Sequence, residues 1–382
     1  MKTNNKSIYA IFVGGETAGP VMPLLTLADA WVKNDPNLKP VFLDSRQSVG
    51  ARIVPSRGYQ FISISAGKLR RYWSIKNFFS PFLTFFGLLQ ALILLIRLRP
   101  VIVVGAGGYV QVPVVIAAWI LRIPRLIHQQ DIVPTFSNRI CTPFVNKITT
   151  TFEKSIKDFP QGSGFEKSYS HYTKVVWTGN PTDLNLESIT LEQKHQAYKL
   201  FNLEQDWPTV LVIGGGSGAR GLNTAVNHNL PELLKIAQVI HSTGAGKKIR
   251  PSVDIAHGHD RYHQYEFINQ VDQAYLAADV VICRAGIGTI TALSALSKLS
   301  IVVPMPDSHQ EWNARYLYNH KAAIILDETD ITPDTLAKTV RKILFDANLQ
   351  KEMQTNIHAI MPENGTKNIL EIINQLVNAE PK

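Results

Sequence analysis

The chain is poor in cysteine. Cys141 and Cys283 are the only two among 382 residues and lie far apart, so neither a disulfide framework nor a cysteine-based zinc site is expected, and a reducing compartment is the default. It also lacks the apolar stretch of a secretory leader. Lys2 and Lys6 precede an apolar run, Ile8 to Val13, that stops at Gly14, too short for a signal peptide's hydrophobic region. That run reads as the first strand of a cytoplasmic protein. No G-x-x-x-x-G-K-[ST] sequence occurs, which disfavours a Walker-type nucleotide hydrolase. The net charge of +9 comes without a recognised nucleic-acid motif, and no nucleic-acid partner is expected.

Acidic residues are missing altogether between Lys68 and Arg99, a segment that holds Lys68, Arg70, Arg71, Lys76, Arg97 and Arg99 around the apolar run Phe78 to Ile96. Hydropathy alone allows a transmembrane span there. Pro81 breaks the run, however, and Arg97-Leu98-Arg99-Pro100 leads straight into the strand-like Val101 to Val104. A crossover helix with an over-sized apolar face is the better expectation. Two uses of that face stay open: packing on a sheet, or lying as a basic, aromatic patch on an anionic membrane surface.

What the chain does have is alternation. Short β-branched runs (Ile8 to Val13, Val41 to Leu43, Phe61 to Ile64, Val101 to Val104, Arg125 to His128, Lys147 to Thr151) alternate with helical stretches such as Leu24 to Lys33 and Gln111 to Leu121. This is the grammar of an α/β protein with a parallel sheet. It resumes with Val210 to Ile213, Val239 to His241, Tyr265 to Ile268, Val280 to Cys283, Ile301 to Pro304 and Ala323 to Leu326. With 45% hydrophobic residues the chain can fill two cores. The expected division is 1–185, 186–364 and a last helical segment, 365–382, that packs back on the first domain.

Each half opens with a glycine loop directly after its first strand: Gly14-Gly15-Glu16-Thr17-Ala18-Gly19-Pro20 and Gly214-Gly215-Gly216-Ser217-Gly218-Ala219. Such a loop offers backbone N–H groups and a helix N-terminus to an anion. No D-x-D pair occurs, so no metal site and no cofactor are expected. A departing diphosphate would then have to be neutralised by helix N-termini, backbone N–H groups and cationic side chains. Arg220 follows the second loop, and Arg284-Ala285-Gly286-Ile287-Gly288-Thr289 lies just past Val280 to Cys283. A surface ion pair is the plain alternative for Arg284.

Seven ordered blocks carry a resemblance. Gly14 to Pro23, Gly105-Ala106-Gly107-Gly108-Tyr109-Val110, His128-Gln129-Gln130-Asp131, Thr178-Gly179-Asn180-Pro181, Gly214 to Ala219, Cys283-Arg284-Ala285-Gly286 and His309-Gln310-Glu311-Trp312-Asn313-Ala314 occur in the order and spacing of one family. The chain resembles the MurG-like bacterial N-acetylglucosaminyltransferases of glycosyltransferase family 28, which convert lipid I to lipid II in peptidoglycan synthesis. The resemblance, from about Ile8 to Leu344, implies a GT-B fold, two Rossmann-like domains facing a cleft, with the N-terminal domain binding the lipid acceptor and the C-terminal one the UDP-sugar. It also implies inverting, metal-independent transfer at the cytoplasmic face of the cell membrane, where the enzyme is peripheral. Its partners would be UDP-N-acetylglucosamine, a polyprenyl-diphosphate-linked muramyl peptide and the anionic membrane surface.

Position by position, the resemblance implies that Phe267 and Ile268 line the uracil. Gly216, Ser217 and Gly218 would meet the diphosphate, and the turn of Arg284, Ala285, Gly286 and Thr289 the phosphate and sugar. His309, Gln310 and Asn313 would hydrogen-bond the sugar hydroxyls, a task suited to amides, which both donate and accept. The acceptor would meet Thr17, Ala18, Gly19, Gly107, Gly108, Tyr109 and Asn180.

Three positions depart from the family. Pro20 replaces a histidine that is a candidate base, Ala292 replaces an acid that clasps the ribose, and Asp183 replaces an arginine. A base near the acceptor hydroxyl is still required, because that hydroxyl gains positive charge as its new bond forms. Asp131, where the family more often has asparagine, is the candidate; its alternative role is to cap a helix around Val133 to Ile140. His128 is the runner-up, with a buried, satisfied histidine as its alternative. Other functions stay open at this stage: a GT-B transferase with another nucleotide sugar or polyprenyl acceptor, a non-catalytic membrane-surface homologue, and a nucleotide-sugar epimerase.

Overall fold

A computed structural model describes residues 8–68, 75–160, 174–184, 189–215, 218–252, 260–332 and 334–379. In it the β-branched runs form two all-parallel sheets, each in its own compact unit: Met1–Asp183 with Met361–Lys382, and Leu184–Ile360. The first sheet is built from β1 (Ile8–Val13), β2 (Leu38–Asp44), β3 (Gln60–Ser63), β4 (Ile102–Gly105), β5 (Arg125–Gln129), β6 (Lys147–Thr150) and β7 (Val175–Trp177), in the order β3-β2-β1-β4-β5-β6-β7. The second has β8 (Thr209–Ile213), β9 (Gln238–Ser242), β10 (Tyr262–Tyr265), β11 (Val280–Cys283), β12 (Leu299–Val302) and β13 (Ile324–Ile325), in the order β10-β9-β8-β11-β12-β13. Each sheet reverses its strand order once, between β1 and β4 and between β8 and β11. At such a reversal the connecting helices leave to opposite faces, and a crevice opens beyond the strand carboxyl ends.

Helices cover both faces of the first sheet, which is why its strands read as apolar runs without alternation. On one face α1 (Ala18–Asn34) and α13 (Gly365–Asn378) join Phe12, Leu24, Leu27, Val104, Ile369 and Ile373 in one buried cluster. On the other, α3 (Ile75–Leu98) and α4 (Gln111–Ile120) bury Ala91, Leu95, Val114 and Ala118 against Ile11, Val13 and Val103. The second sheet packs α7 (Arg220–Leu233) and α11 (Thr335–Phe345) on Val210, Val212 and Ile282 through Leu222, Val226, Leu230, Val340 and Ile343.

Several elements differ from the sequence expectation. α1 begins at Ala18, six residues before the expected Leu24, because Pro20 falls in the first turn, where its missing N–H has no intrahelical partner to lose. The helix expected from Val133 to Ile140 is the shorter α5 (Phe136–Cys141), started by Thr135, whose side chain accepts from the Asn138 N–H. The strand expected at Tyr265 to Ile268 is Tyr262–Tyr265, because its register pairs Tyr262 with Val239 and Tyr265 with Ser242. Pro81 does not break α3, which runs without interruption through it.

α3 has two opposite faces. Ala91 and Leu95 are fully inside, whereas Phe78, Phe82 and Ile93 are 72%, 59% and 70% exposed. Residues 65–67 lie along the helix as a strap. The Ser65 N–H donates to Gln90 Oε1 (2.9 Å) and the Gly67 N–H to Thr84 Oγ1 (3.2 Å). Gly67 meets the Ser80 backbone and Gly87 the Ser65 carbonyl so closely that a Cβ on either glycine would collide with it.

Each sheet buries one histidine. His128 on β5 has Nδ1 2.9 Å from Thr149 Oγ1 and Nε2 2.9 Å from Asn180 Oδ1. His241 on β9 has Nδ1 2.9 Å from Tyr262 Oη and Nε2 3.1 Å from Asn223 Oδ1. Both networks are satisfied by a neutral ring protonated on Nε2. Burial pushes each imidazole down to about 4.

Two outcomes are expected. An alanine in place of a mid-helix glycine ordinarily stabilises by about 1 kcal/mol, but Gly87→Ala should destabilise the first unit by roughly 1–3 kcal/mol, seen as a lower denaturant midpoint; a raised midpoint would show that Ser65 does not abut the helix. The unfolded chain binds protons on His128 and His241 that the folded chain does not. Stability is therefore complete above the unfolded value near 6.5 and declines as pH falls toward 4, by up to about 3 kcal/mol per histidine. Melting curves between pH 7 and pH 4.5 read this directly, and a loss that His241→Gln leaves unchanged would assign it to other groups.

Candidate functional site

The carboxyl rim of the first sheet brings together loops far apart in sequence. Gly15, after β1, and Gly108, after β4, touch backbone to backbone, and a Cβ on either would strike the other's Cα. Gly107 and Gly108 have φ of +103° and +88°, a conformation that glycine adopts without strain. The Gly107 N–H donates to Gln111 Oε1 (2.6 Å) and Gln111 Nε2 to Asn138 Oδ1 (2.7 Å). Asn138 Nδ2 in turn donates to Gln129 Oε1 (2.7 Å), while Gln129 Nε2 donates to the carbonyls of Asp131 and Val133 at 2.7 and 3.1 Å. A buried relay of three amides thus ties the β4 turn to the loop that carries Asp131. On the other side Asp44 Oδ1 accepts from the Glu16 N–H at 3.2 Å. Burial raises the Asp44 carboxyl above its ordinary value.

Thr17, Ala18 and Gly19 stand at the start of α1, with Thr17 and Gly19 exposed, and Tyr109 is half-buried beside Gly108. Asn180 is only 3% exposed; it lies under the rim, its Oδ1 against His128. His128 itself is 1% exposed with both ring nitrogens engaged. The structure therefore favours the satisfied-histidine alternative, in which His128 positions Asn180 from within the sheet. Asp131 is half-buried on its loop, and the capping alternative does not hold for it, since Thr135 caps α5.

In the second unit the loop after β8 runs into α7. Gly216 and Ser217 lie outside the described residues. Gly218 (φ +69°) packs so tightly on Thr243 and Gly244 after β9 that a Cβ would collide with the Thr243 carbonyl. Asn223 Nδ2 donates to that carbonyl at 2.9 Å. Past β10, Phe267 is 62% exposed, whereas Ile268 is buried.

The resemblance implies that Arg284 meets the phosphate and sugar, with a surface ion pair as the alternative. Arg284 is buried: Nη1 donates to the carbonyls of Val303 and Pro304 at 3.1 and 2.9 Å, and Nη2 pairs with Glu328. The guanidinium therefore fastens the ends of β11 and β12 together and is not a surface ion pair. The following turn, Ala285 and Gly286, leads into α9 (Ile287–Ala295) with Thr289 half-buried in its first turn. His309, exposed, and Gln310 open α10 (Gln310–Asn319). Gln310 Oε1 accepts from the Met305 N–H (3.1 Å). Asn313 is 1% exposed and donates to the Ala285 carbonyl at 3.1 Å, so it braces the β11 turn from below. Ala292 is buried on α9, and Asp183 is exposed at the end of the first unit's main segment.

Sequence reasoning missed the supporting residues: Asp44, Gln111, Gln129, Asn138, Asn223 and Glu328. Gln111 leaves a local trace, a polar residue directly after a glycine turn at the head of an apolar helix, and Gln129 lies within the His128-Gln129-Gln130-Asp131 block with partners at most nine residues away. Asp44, Asn223 and Glu328 find partners across the fold.

Comparison with known proteins agrees with this arrangement. Residues 9–150 match the glycosyltransferase family 28 N-terminal domain and 209–371 the glycosyltransferase family 28 C-terminal domain. A Lachnospira eligens protein described as UDP-N-acetylglucosamine--N-acetylmuramyl-(pentapeptide) pyrophosphoryl-undecaprenol N-acetylglucosamine transferase is 34% identical over 362 residues, covering 92% of this chain and 97% of its own. A protein of the same description from Legionella pneumophila strain Paris is 30% identical, with 97% of each chain covered. Among solved structures, Acinetobacter baumannii MurG superposes with a TM-score of 0.70 at 23% identity, covering 96% of this chain and 99% of that one. The calicheamicin glycosyltransferase CalG4 does so with 0.67 at 12%, covering 97% and 99%. The fold is GT-B, and with both halves matched in order the chain belongs to glycosyltransferase family 28.

Proposed function

We propose that the chain transfers N-acetylglucosamine from UDP-N-acetylglucosamine to the muramyl 4-hydroxyl of undecaprenyl-diphospho-N-acetylmuramoyl-peptide, lipid I, giving lipid II. The observation that carries this reading is the match to the Lachnospira eligens transferase over nearly the full length of both chains. The first unit takes the acceptor at the rim formed by Gly15, Gly107, Gly108 and the Asp131 loop. The second takes the nucleotide sugar at the loops after β8, β10, β11 and β12. Transfer is inverting and metal-independent, supported by the absence of a D-x-D pair and by two loops built to meet anions with backbone N–H groups.

In this mechanism the acceptor oxygen attacks the anomeric carbon from the side opposite the diphosphate, and its proton goes to a base. Asp131 takes that role. It stands on the rim rather than inside the sheet, and Gln129 holds its loop by donating one hydrogen bond to the Asp131 carbonyl and one to the Val133 carbonyl. Pro20 offers no proton acceptor, and His128 is sealed in.

The exposed face of α3 lies in the membrane interface and keeps the enzyme peripheral on the cytoplasmic face. Phe78, Phe79, Phe82, Phe85 and Phe86 are each more than half exposed, on a helix whose last turn carries Arg97. Burying one such side chain is worth roughly 1.5–3 kcal/mol, and the basic residues that flank the run in sequence favour anionic lipid. A second reading, another donor or polyprenyl acceptor on the same scaffold, is favoured by one observation: Pro20, Asp183 and Ala292 replace three polar groups of the family.

Labelled sugar should pass from UDP-N-acetylglucosamine to a lipid I analogue with EDTA present, and Asp131→Asn should lower turnover by about 100-fold or more while leaving UDP affinity unchanged. No turnover with the donor still bound would turn the assignment toward another acceptor, and a fully active Asp131→Asn would remove that residue from the chemistry. Changing Phe82, Phe85 and Phe86 together to Ser should abolish flotation with anionic vesicles; a folded triple variant that still floats would place the lipid contact elsewhere.

A further inference from the structure

Glu16 stands in the first glycine loop with φ of +46°, a left-handed conformation that is costly for a residue with a side chain and persists where neighbours fix it. Three contacts do so. Its N–H donates to Asp44 Oδ1 at 3.2 Å, its carbonyl accepts from the Val49 N–H at 3.1 Å, and its carboxylate accepts from Lys68 Nζ at 2.5 Å. The residues on either side of it belong to the rim: Gly15 abuts Gly108, and Thr17 is the exposed residue before α1.

Lys68 continues the strap that lies along α3. Its carbonyl accepts from Ser80 Oγ at 3.2 Å, and the preceding Gly67 N–H donates to Thr84 Oγ1. The strap follows a stripe of small and polar residues, Ser80, Thr84, Gly87 and Ala91, which are four, three and four residues apart and so share one face of the helix. At 3.6 residues per turn, Phe78, Phe82 and Phe85 fall on the opposite face, and each is more than half exposed. A chain of contacts therefore runs from the helix that carries the aromatic face, through the strap, to the left-handed residue of the β1 loop. The Lys68–Glu16 ion pair joins the strap to that loop. Its side chains are 49% and 43% exposed, so it biases the loop by a few-fold and does not lock it.

We propose that Glu16 and Lys68 are positioning residues that couple the lipid contact of α3 to the acceptor rim. Anionic lipid that buries the outer face fixes the helix and, with it, the strap hydrogen-bonded to Ser80 and Thr84; the ion pair passes that preference to Glu16 and holds the loop in the conformation that takes the acceptor. The inference rests on the reading that this rim takes the acceptor and that α3 lies in the membrane interface.

Transfer by the full chain to a lipid I analogue whose chain is short enough to stay in water, with and without phosphatidylglycerol vesicles, tests it. Vesicles should raise kcat/KM for the acceptor by about 3- to 5-fold in the unaltered chain, the range that a half-exposed ion pair can supply, and leave UDP affinity unchanged. In Glu16→Gln that ratio should fall to about one while flotation with the vesicles is kept. Exchanging the two charges, Glu16→Lys together with Lys68→Glu, should restore the stimulation. Full stimulation in Glu16→Gln would overturn the proposal, and a loss that the exchanged pair does not restore would overturn it in favour of a carboxylate that acts on the acceptor itself. An unaltered chain that floats and transfers equally well with and without vesicles overturns the inference alone, whereas one that fails to float or to transfer brings down the reading beneath it as well.

Discussion

The contact between Gly15 and Gly108 is the constraint on which the rim of the first sheet depends. β1 and β4 are hydrogen-bonded neighbours at the point where the strand order reverses, so their loops leave side by side before the chain departs to opposite faces. With no side chain on either glycine, the loops meet as bare backbone, and peptide groups rather than side chains form the wall. The second sheet repeats the device with different partners. There Gly218 after β8 meets Thr243 and Gly244 after β9, so the β8 loop leans on the strand to the other side of the reversal.

Bare backbone needs support from beneath, and both units provide it with buried polar side chains rather than apolar packing. In the first unit Gln111, Asn138 and Gln129 pass hydrogen bonds from the Gly107 turn to the Asp131 loop. Amides suit this relay because each can accept from one neighbour and donate to the next. In the second unit Asn223 and His241 support the β9 turn, and Arg284 with Glu328 holds the ends of β11 and β12. Such groups are costly to bury unless every one is satisfied. Their cost opposes any shift of the loops, since a shifted loop would leave several of them unpaired at once.

α3 shows how one helix serves two surfaces. Its inner face, with Ala91 and Leu95, is core, and its outer face is a row of exposed aromatic and aliphatic side chains. Composition could not separate these roles, because both faces are apolar and the helix has no polar stripe to mark the solvent side. The separation comes from the sheet, which covers only one side, and from the Ser65–Gly67 strap, which occupies the groove where Gly67 and Gly87 permit close approach.

The sequence by itself determined the parallel α/β architecture, the two glycine loops and the family, because these are written in short-range signals: β-branched runs, glycines at strand ends, ordered motifs. It also marked Asp131 and the aromatic run of α3. Tertiary structure alone decided which of the marked residues face outward. His128, Asn180, Arg284 and Asn313 all sit in motifs, yet each is buried with polar atoms turned toward neighbours from other strands and loops. A motif records that a residue matters to a turn, but whether it touches a ligand or holds the turn depends on which strand lies next to it. That adjacency is set by hydrogen bonding between segments many residues apart, and no local pattern encodes it.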